Sequence, residues 1–235
     1  MSLVVILSLC VGAIACLTPL ALYLCWLSHV NRRDRVTVVS GAWDFVALLA
    51  GLSGFILCGS GLFLTAVITR SRLWGGGTFE EIRASWGHEY GVWVVALIAY
   101  LAALGIAVGV TLVNRRRTLA AYNCDLAAAE DALAAVFADL GLPVKRLGNL
   151  WSDPDGRAVV EIIPFHQFRH VSFRFREETG PRLSEEIDRR LRAALPARAA
   201  ADNPLGQWVT TAAVSSLLTV LCCAVLIGAS VFFPR

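Results

Sequence analysis

Four long apolar segments constrain the fold of this chain more than any other feature. They cover residues 2–27, 45–69, 92–113 and 208–233, and none of them contains an Asp, Glu, Lys, Arg or His. A helix needs about 20 residues to cross the hydrocarbon core of a bilayer, so each segment is long enough to span it. The sequence therefore predicts a multi-pass membrane protein with an all-α four-helix transmembrane bundle.

The composition agrees with a membrane protein and argues against a nucleic-acid partner. Hydrophobic residues make up 57% of the chain and charged residues 17%, whereas soluble domains average about 25% charged residues. The net charge of +3 is too small to indicate nucleic acid. Lys145 is the only lysine among 21 basic residues. This arginine bias is typical of GC-rich bacterial genomes, so we expect a bacterial inner membrane.

The cysteines predict neither a disulfide framework nor a structural zinc site. Six of the seven lie in the apolar segments, where cysteine acts as a small hydrophobic residue. No CxxC pair occurs in the sequence. The first segment lacks a positively charged start and is longer than a signal-peptide core, so we expect it to be retained.

The gaps between the apolar segments divide the chain into three parts. Residues 1–113 hold the first three spans and two short loops, residues 114–207 form one long polar segment, and residues 208–235 hold the fourth span. The arginines of the first loop and of Arg115–Arg117 favour the cytosolic side under the positive-inside rule. We therefore expect the long segment to be cytosolic and both termini to lie outside.

The long polar segment reads as a small inserted α/β module of order α-β-β-β-α. Leucines seven residues apart predict a helix over 118–140, since neither Gly nor Pro interrupts it. The predicted strands cover 144–151, 158–163 and 170–176, and a second helix covers 183–195. The first helix could instead continue the third span as a self-associating rod. We favour packing on the sheet, because Val171, Phe173 and Phe175 need a cover.

Small residues recur along one face of the second span and reappear in the third. These positions are Ala47, Gly51, Gly54, Cys58, Gly61 and Thr65, followed by Gly105 and Gly109. Small side chains allow helices to approach closely in lipid. We interpret the face as internal packing of the bundle, with an oligomer interface as the alternative.

No residue pattern predicts catalysis, a cofactor or a metal site. Charged side chains inside spans usually mark pumps and proton-coupled transporters, and this chain has none there. His166 and His170 flank the start of a predicted strand, where four residues span about 13 Å, too far for a shared metal ion.

Basic residues of the long segment suggest a lipid or partner surface. Arg174 and Arg176 alternate with the apolar side chains of their strand, and Arg115, Arg116 and Arg117 open the segment. Arginines near a bilayer attract anionic headgroups. The alternative is an ordinary solvated strand face on which arginine pairs with Glu161.

The sequence favours a non-enzymatic anchor or interaction protein over two other classes. Its expected partners are the lipid bilayer and either a second copy or another membrane protein. An accessory subunit of a transport or channel complex is the first alternative. A lipid-acting enzyme using interfacial groups such as Asp44, His88 or Glu89 is the second.

Overall fold

The structure is a computed structural model that describes residues 3–58, 79–165, 169–176, 178–197 and 205–232. The helices are α1 (Leu3–Asn31), α2 (Gly41–Cys58), α3 (Phe79–Arg115), α4 (Leu126–Asp139), α5 (Pro181–Ala194) and α6 (Leu205–Phe232). The strands are β1 (Thr37–Ser40), β2 (Thr118–Tyr122), β3 (Lys145–Leu147), β4 (Leu150–Ser152), β5 (Val159–Phe165) and β6 (His170–Phe175).

Four helices in the described part of the chain are long and apolar enough to cross a membrane, as the sequence predicted. Their apolar stretches are Ile6–Asn31, Gly41–Cys58, Leu97–Arg115 and Gly206–Ser230, with mean hydropathies from 1.7 to 2.3. The third stretch ends a 37-residue helix, α3. At 1.5 Å per residue α3 is about 55 Å long, more than the hydrocarbon core requires.

The chain forms two compact units. The helical unit comprises residues 1–24, 48–110 and 211–235, and the sheet unit comprises residues 25–47 and 111–210. The sheet unit therefore includes the first loop and one end of each apolar helix, in addition to the long polar segment from which the sequence derived its module.

The sheet unit contains a six-stranded antiparallel sheet in the order β1-β2-β6-β5-β4-β3. The edge strand β1 comes from the loop between the first two apolar helices. It pairs with β2 in a register that sets Thr37 opposite Tyr122 and Ser40 opposite Leu119. The sequence predicts no strand in this loop, because a strand of four residues carries little periodic signal.

The helix predicted over 118–140 is wrong in its first part. Residues 118–122 form β2, between β1 and β6, and the helix begins only at Leu126. Leu119 and Ala121 alternate into the core as strand residues do. Asn123 has a φ of 56°, and this left-handed conformation ends β2 before α4 begins. The continuous rod is excluded as well, since α3 ends at Arg115.

The single strand predicted over 144–151 is a hairpin of β3 and β4. Gly148 has a φ of 62°, and its left-handed conformation turns the chain between the two short strands. The remaining predictions lie within a few residues of β5, β6 and α5.

The core of the sheet unit lies between one sheet face, here called the core face, and the helices α4 and α5. Leu119, Ile162 and Phe173 are fully buried on the core face. They join side chains of α4 and α5 that include Phe137 and Leu191. Each such side chain contributes about 1.5–3 kcal/mol when fully removed from water. The helices thus cover the apolar face that the sequence analysis expected them to cover.

Candidate functional site

The ends of apolar helices contact the opposite side of the sheet, here called the second face. Ala120 and Tyr122 of β2 point away from the core and are buried against Val30 of α1, with Trp26 and Leu27 packed around them. The Trp26 and Tyr122 rings meet edge to face, with centroids 6.1 Å apart. The last turns of α1 therefore cover the β2 part of the second face.

Asp44, in the first turn of α2, connects the ends of α2 and α3 to this face through its side chain. Asp44 accepts a hydrogen bond from the Tyr122 hydroxyl. The Arg115 guanidinium, at the end of α3, lies 3.7 Å from the Asp44 carboxylate and 5.3 Å from the centre of the Phe45 ring. The Asp44 side chain is only 13% exposed. These contacts offset the cost of removing the carboxylate from water.

Asp44, Arg115 and Tyr122 form one cluster, here called the Asp44 cluster. His170 extends it along the second face. Its ring lies 4.7 Å from the Tyr122 ring and 5.5 Å from the Phe165 ring. Burial lowers the pKa of His170 below its usual range; the Asp44 charge opposes this shift and the Arg115 charge adds to it. Among the described residues, no hydrogen-bond partner reaches the buried Nε2 atom. His170 therefore acts as a neutral stacking residue near pH 7.

Hydrogen bonds tie the remaining helix ends together. The Asn123 side-chain amide donates to the Val30 carbonyl at 3.0 Å and to the Arg33 carbonyl at 3.2 Å, which fixes the chain beyond α1. The hydroxyls of Ser28 and Thr210 are 2.6 Å apart and join α1 to α6. Within the sheet unit, α1 and α2 thus contact the second face directly, α3 is joined to it through Asp44 of α2, and α6 is joined to it through α1.

The predicted arginine surface is divided in the structure. Arg116 and Arg117 are exposed in the short link between α3 and β2. Arg176 pairs with Glu161 at 3.0 Å across β5 and β6. Arg174 is exposed and lies opposite Glu161 in the strand register. Arg176 thus follows the alternative in which an arginine of the strand face pairs with Glu161. Arg115 belongs to the Asp44 cluster instead.

The small-residue positions also divide into two groups. A Cβ on Gly51 would lie 2.6 Å from Tyr23 Cβ, and one on Gly54 would lie 2.2 Å from the Ala15 carbonyl oxygen. These glycines therefore permit the close approach of α1 and α2 in the helical unit. Among the described residues, nothing lies within 4 Å of a Cβ placed on Gly105 or Gly109.

The other predicted packing positions add little further detail. Ala47 is partly buried at the start of α2, and Cys58, also partly buried, ends the helix beside Cys16. Gly61 and Thr65 lie outside the described residues.

The contacts of this cluster join the ends of helices to the sheet. Within the described ranges, no three His, Cys, Asp or Glu side chains could hold one metal ion. His166 lies outside those ranges, as do the side chains of His88 and Glu89. Sequence reasoning noted Asp44 only as an isolated interfacial acid and did not connect it with Tyr122. The available signal was a lone carboxylate beside an apolar segment.

No protein-family model, curated protein or solved structure matches this chain. A function for it must therefore be argued from the residues and their geometry.

Proposed function

We propose that the protein is a multi-pass membrane protein that holds a small α/β module against the membrane surface and acts by binding a partner. The observation that carries this proposal is the pairing of β1 with β2. β1 lies between the first two apolar helices, and β2 follows the third. Both strands must therefore lie on the same side of the bilayer, which requires an even number of crossings between them.

We propose four crossings, which satisfy this requirement. The module lies on one side, and the N-terminus, the second loop and the C-terminus lie on the other. The arginines of residues 32–35 and 115–117 favour the cytosolic side for the module. We propose an inner-membrane location with both termini outside the cytosol.

The short links to the apolar helices support a module held close to the bilayer. β1 ends at Ser40 and α2 begins at Gly41, while only Arg116 and Arg117 separate α3 from β2. The Asp44 contacts add a side-chain connection at the same place. A partner bound to the module would therefore be held at the membrane surface.

Photo-cross-linking in native membranes tests the binding function. A photoreactive residue is placed in turn at exposed module positions such as Glu185, Arg189 and Asp155. We expect one defined protein adduct from positions that share a surface. The proposal is overturned if no position gives an adduct, or if a purified preparation has a catalytic activity that a module substitution abolishes.

An accessory role in a transport or channel complex is the second candidate. Its support is that, among the described residues, no heavy atom outside the local helix backbone lies within 4 Å of a Cβ placed on Gly105 or Gly109 of α3, an arrangement that leaves room for a partner helix. The Gly105→Leu variant should then lose a co-purifying multi-span protein. The Gly228→Leu variant should retain it, because it changes a glycine with similar space around it on a different helix, α6. A preparation containing only copies of this chain would contradict the role.

A further inference from the structure

Among the described residues, the second face of the sheet is covered only over part of its width. α1 packs on β1 and β2, whereas the half formed by β5, β4 and β3, here called the open half, carries exposed apolar side chains. Leu147 is 73% exposed and Phe165 is 49% exposed. The strand register sets Leu150 and Ile163 on the same side, and both are partly buried. Leu147 lies in the row of Leu150 and Glu161, and Phe165 lies four residues beyond Glu161 on β5, so the two exposed side chains share one face with Leu150 and Ile163 between them.

Basic side chains lie at the Leu147 end of these apolar groups. The register places Lys145 on β3 and Arg174 on β6 toward the same side, and Arg176 follows in the same alternation. The acid among the strand residues of this half is Glu161, which is paired with Arg176. The open half therefore combines apolar side chains with an excess of positive charge, as surfaces that lie on anionic lipid do.

The helix ends indicate what this half faces. The last turns of α1 and the first turn of α2 lie against the second face, and Arg115 ties the end of α3 to the same cluster. Trp43 and Trp208, in the first turns of α2 and α6, are 71% and 74% exposed. Exposed tryptophans at the ends of apolar helices are typical of the headgroup level. Within the sheet unit, the ends of helices long enough to cross a membrane therefore lie on the same side of the sheet as the open half.

We propose that the open half rests on anionic lipid headgroups, with Leu147 and Phe165 entering the interfacial layer and Lys145 and Arg174 contacting phosphates. This inference rests on the proposed membrane arrangement. It assigns the apolar surface to the lipid, so that the helix-covered side of the module remains available to a partner.

Spin labels on the full chain test this contact. Single cysteines replace Leu147 or Phe165 in a variant without native cysteines, and Asp155 and Glu185 serve as exposed reference positions. The chains are placed in nanodiscs of phosphatidylcholine alone or with phosphatidylglycerol. Accessibility to dissolved oxygen is compared with accessibility to a water-soluble nickel complex. We expect labels 147 and 165 to be protected from nickel several-fold more than the references, and most strongly with phosphatidylglycerol.

Charge reversal gives an independent measurement. Lys145→Glu combined with Arg174→Glu should remove the phosphatidylglycerol-dependent protection of label 165. The matched control combines Arg182→Glu with Arg189→Glu on α5 and reverses the same amount of charge on another surface, so protection should persist. Equal protection in both double variants would overturn the role of the basic residues.

The remaining outcomes distinguish lipid from other occupants. Labels 147 and 165 as exposed to nickel as the references in both lipids would overturn the contact. Protection that persists in detergent and rises with protein concentration would assign the surface to a second copy and would also overturn it. A different result would show that the proposed membrane topology is wrong. In that case, accessible cysteines at positions 35 and 155 would react from opposite sides of the bilayer.

Discussion

The turn between β4 and β5 shows how a single buried carboxylate fixes a local structure. Asp153 is almost fully buried and accepts a hydrogen bond from the Ala158 N–H at 2.9 Å. Arg157 lies 3.2 Å from the same carboxylate. Burial alone would raise the pKa of Asp153, but the Ala158 and Arg157 hydrogen bonds outweigh it and hold the pKa below its usual range.

Asp153→Asn should destabilise the protein by about 1–3 kcal/mol, because it weakens charge-assisted hydrogen bonds in a buried turn. The lowered pKa makes the carboxylate contribution complete above the unfolded pKa of about 3.9. The contribution is then lost as the pH falls from there through the folded pKa. Thermal unfolding in detergent between pH 7 and pH 2.5 should show a smaller pH effect in the variant. Asp155→Asn, at an exposed position of the same turn, should change stability by less than 1 kcal/mol.

His170 gives a second pH-dependent prediction. Because the pKa of His170 is lowered in the folded chain, the unfolded chain binds a proton at a higher pH than the folded chain does. The contribution of neutral His170 to stability is therefore complete above about pH 6.5 and decreases as the pH falls from there toward the folded pKa. Asp44, Arg115 and Tyr122 are the titratable groups of the surrounding cluster. His170→Phe keeps a ring between Tyr122 and Phe165 and removes the titration. Between pH 7.5 and pH 5, the melting temperature of this variant should change less than that of the parent protein. An unchanged pH dependence in His170→Phe would contradict the assignment.

At the scale of elements, the segment from Thr118 to Leu140 shows where periodicity misleads. Leucines at positions 119, 126 and 133 all reach the core, as the seven-residue spacing suggested. Leu119 does so from a strand and the other two from a helix. The spacing records burial and not the conformation, and pairing with β1 and β6 decides that residues 118–122 are extended.

Substitutions at glycines test the packing of α1 against α2. Gly54→Ala should destabilise the protein by about 1–3 kcal/mol, because the new methyl group would meet the Ala15 backbone and force the helices apart. Gly105→Ala is the matched control: its surroundings are open, and alanine favours a helix by up to about 1 kcal/mol over glycine. Unfolding by sodium dodecyl sulfate in mild detergent measures both changes. Equal stability of the two variants would refute the close approach at Gly54.

At the scale of the whole molecule, the β1–β2 pairing predicts the membrane topology. Single cysteines at positions 35, 76 and 155 are introduced into a variant without native cysteines and labelled with a membrane-impermeant maleimide. We expect positions 35 and 155 to react only from the cytosolic side and position 76 only from the opposite side. Reaction of position 155 from outside would contradict the cytosolic assignment, and different sides for 35 and 155 would contradict the shared sheet.

The same pairing predicts that the long polar segment is incomplete when it is separated from the rest of the chain. A fragment of residues 116–204 lacks β1 and the end of α1, so the edge of β2 and the buried side chains Ala120 and Tyr122 would be exposed. We expect the fragment to self-associate or to unfold without a cooperative transition, as followed by circular dichroism and sedimentation. A monomeric fragment that unfolds cooperatively would show that β1 is dispensable.

The sequence by itself determined the four apolar helices, the position of the long polar segment and most of β5, β6 and α5. Apolar length and local periodicity are properties of neighbouring residues, so they can be read directly from the chain. Tertiary structure alone decided that residues 37–40 and 118–122 form adjacent strands and that Asp44, Arg115, Tyr122 and His170 share one cluster. The members of that cluster are separated by up to 126 positions, from Asp44 to His170. Contacts at such separations depend on which faces remain unburied after the local elements have formed, and no local pattern encodes them.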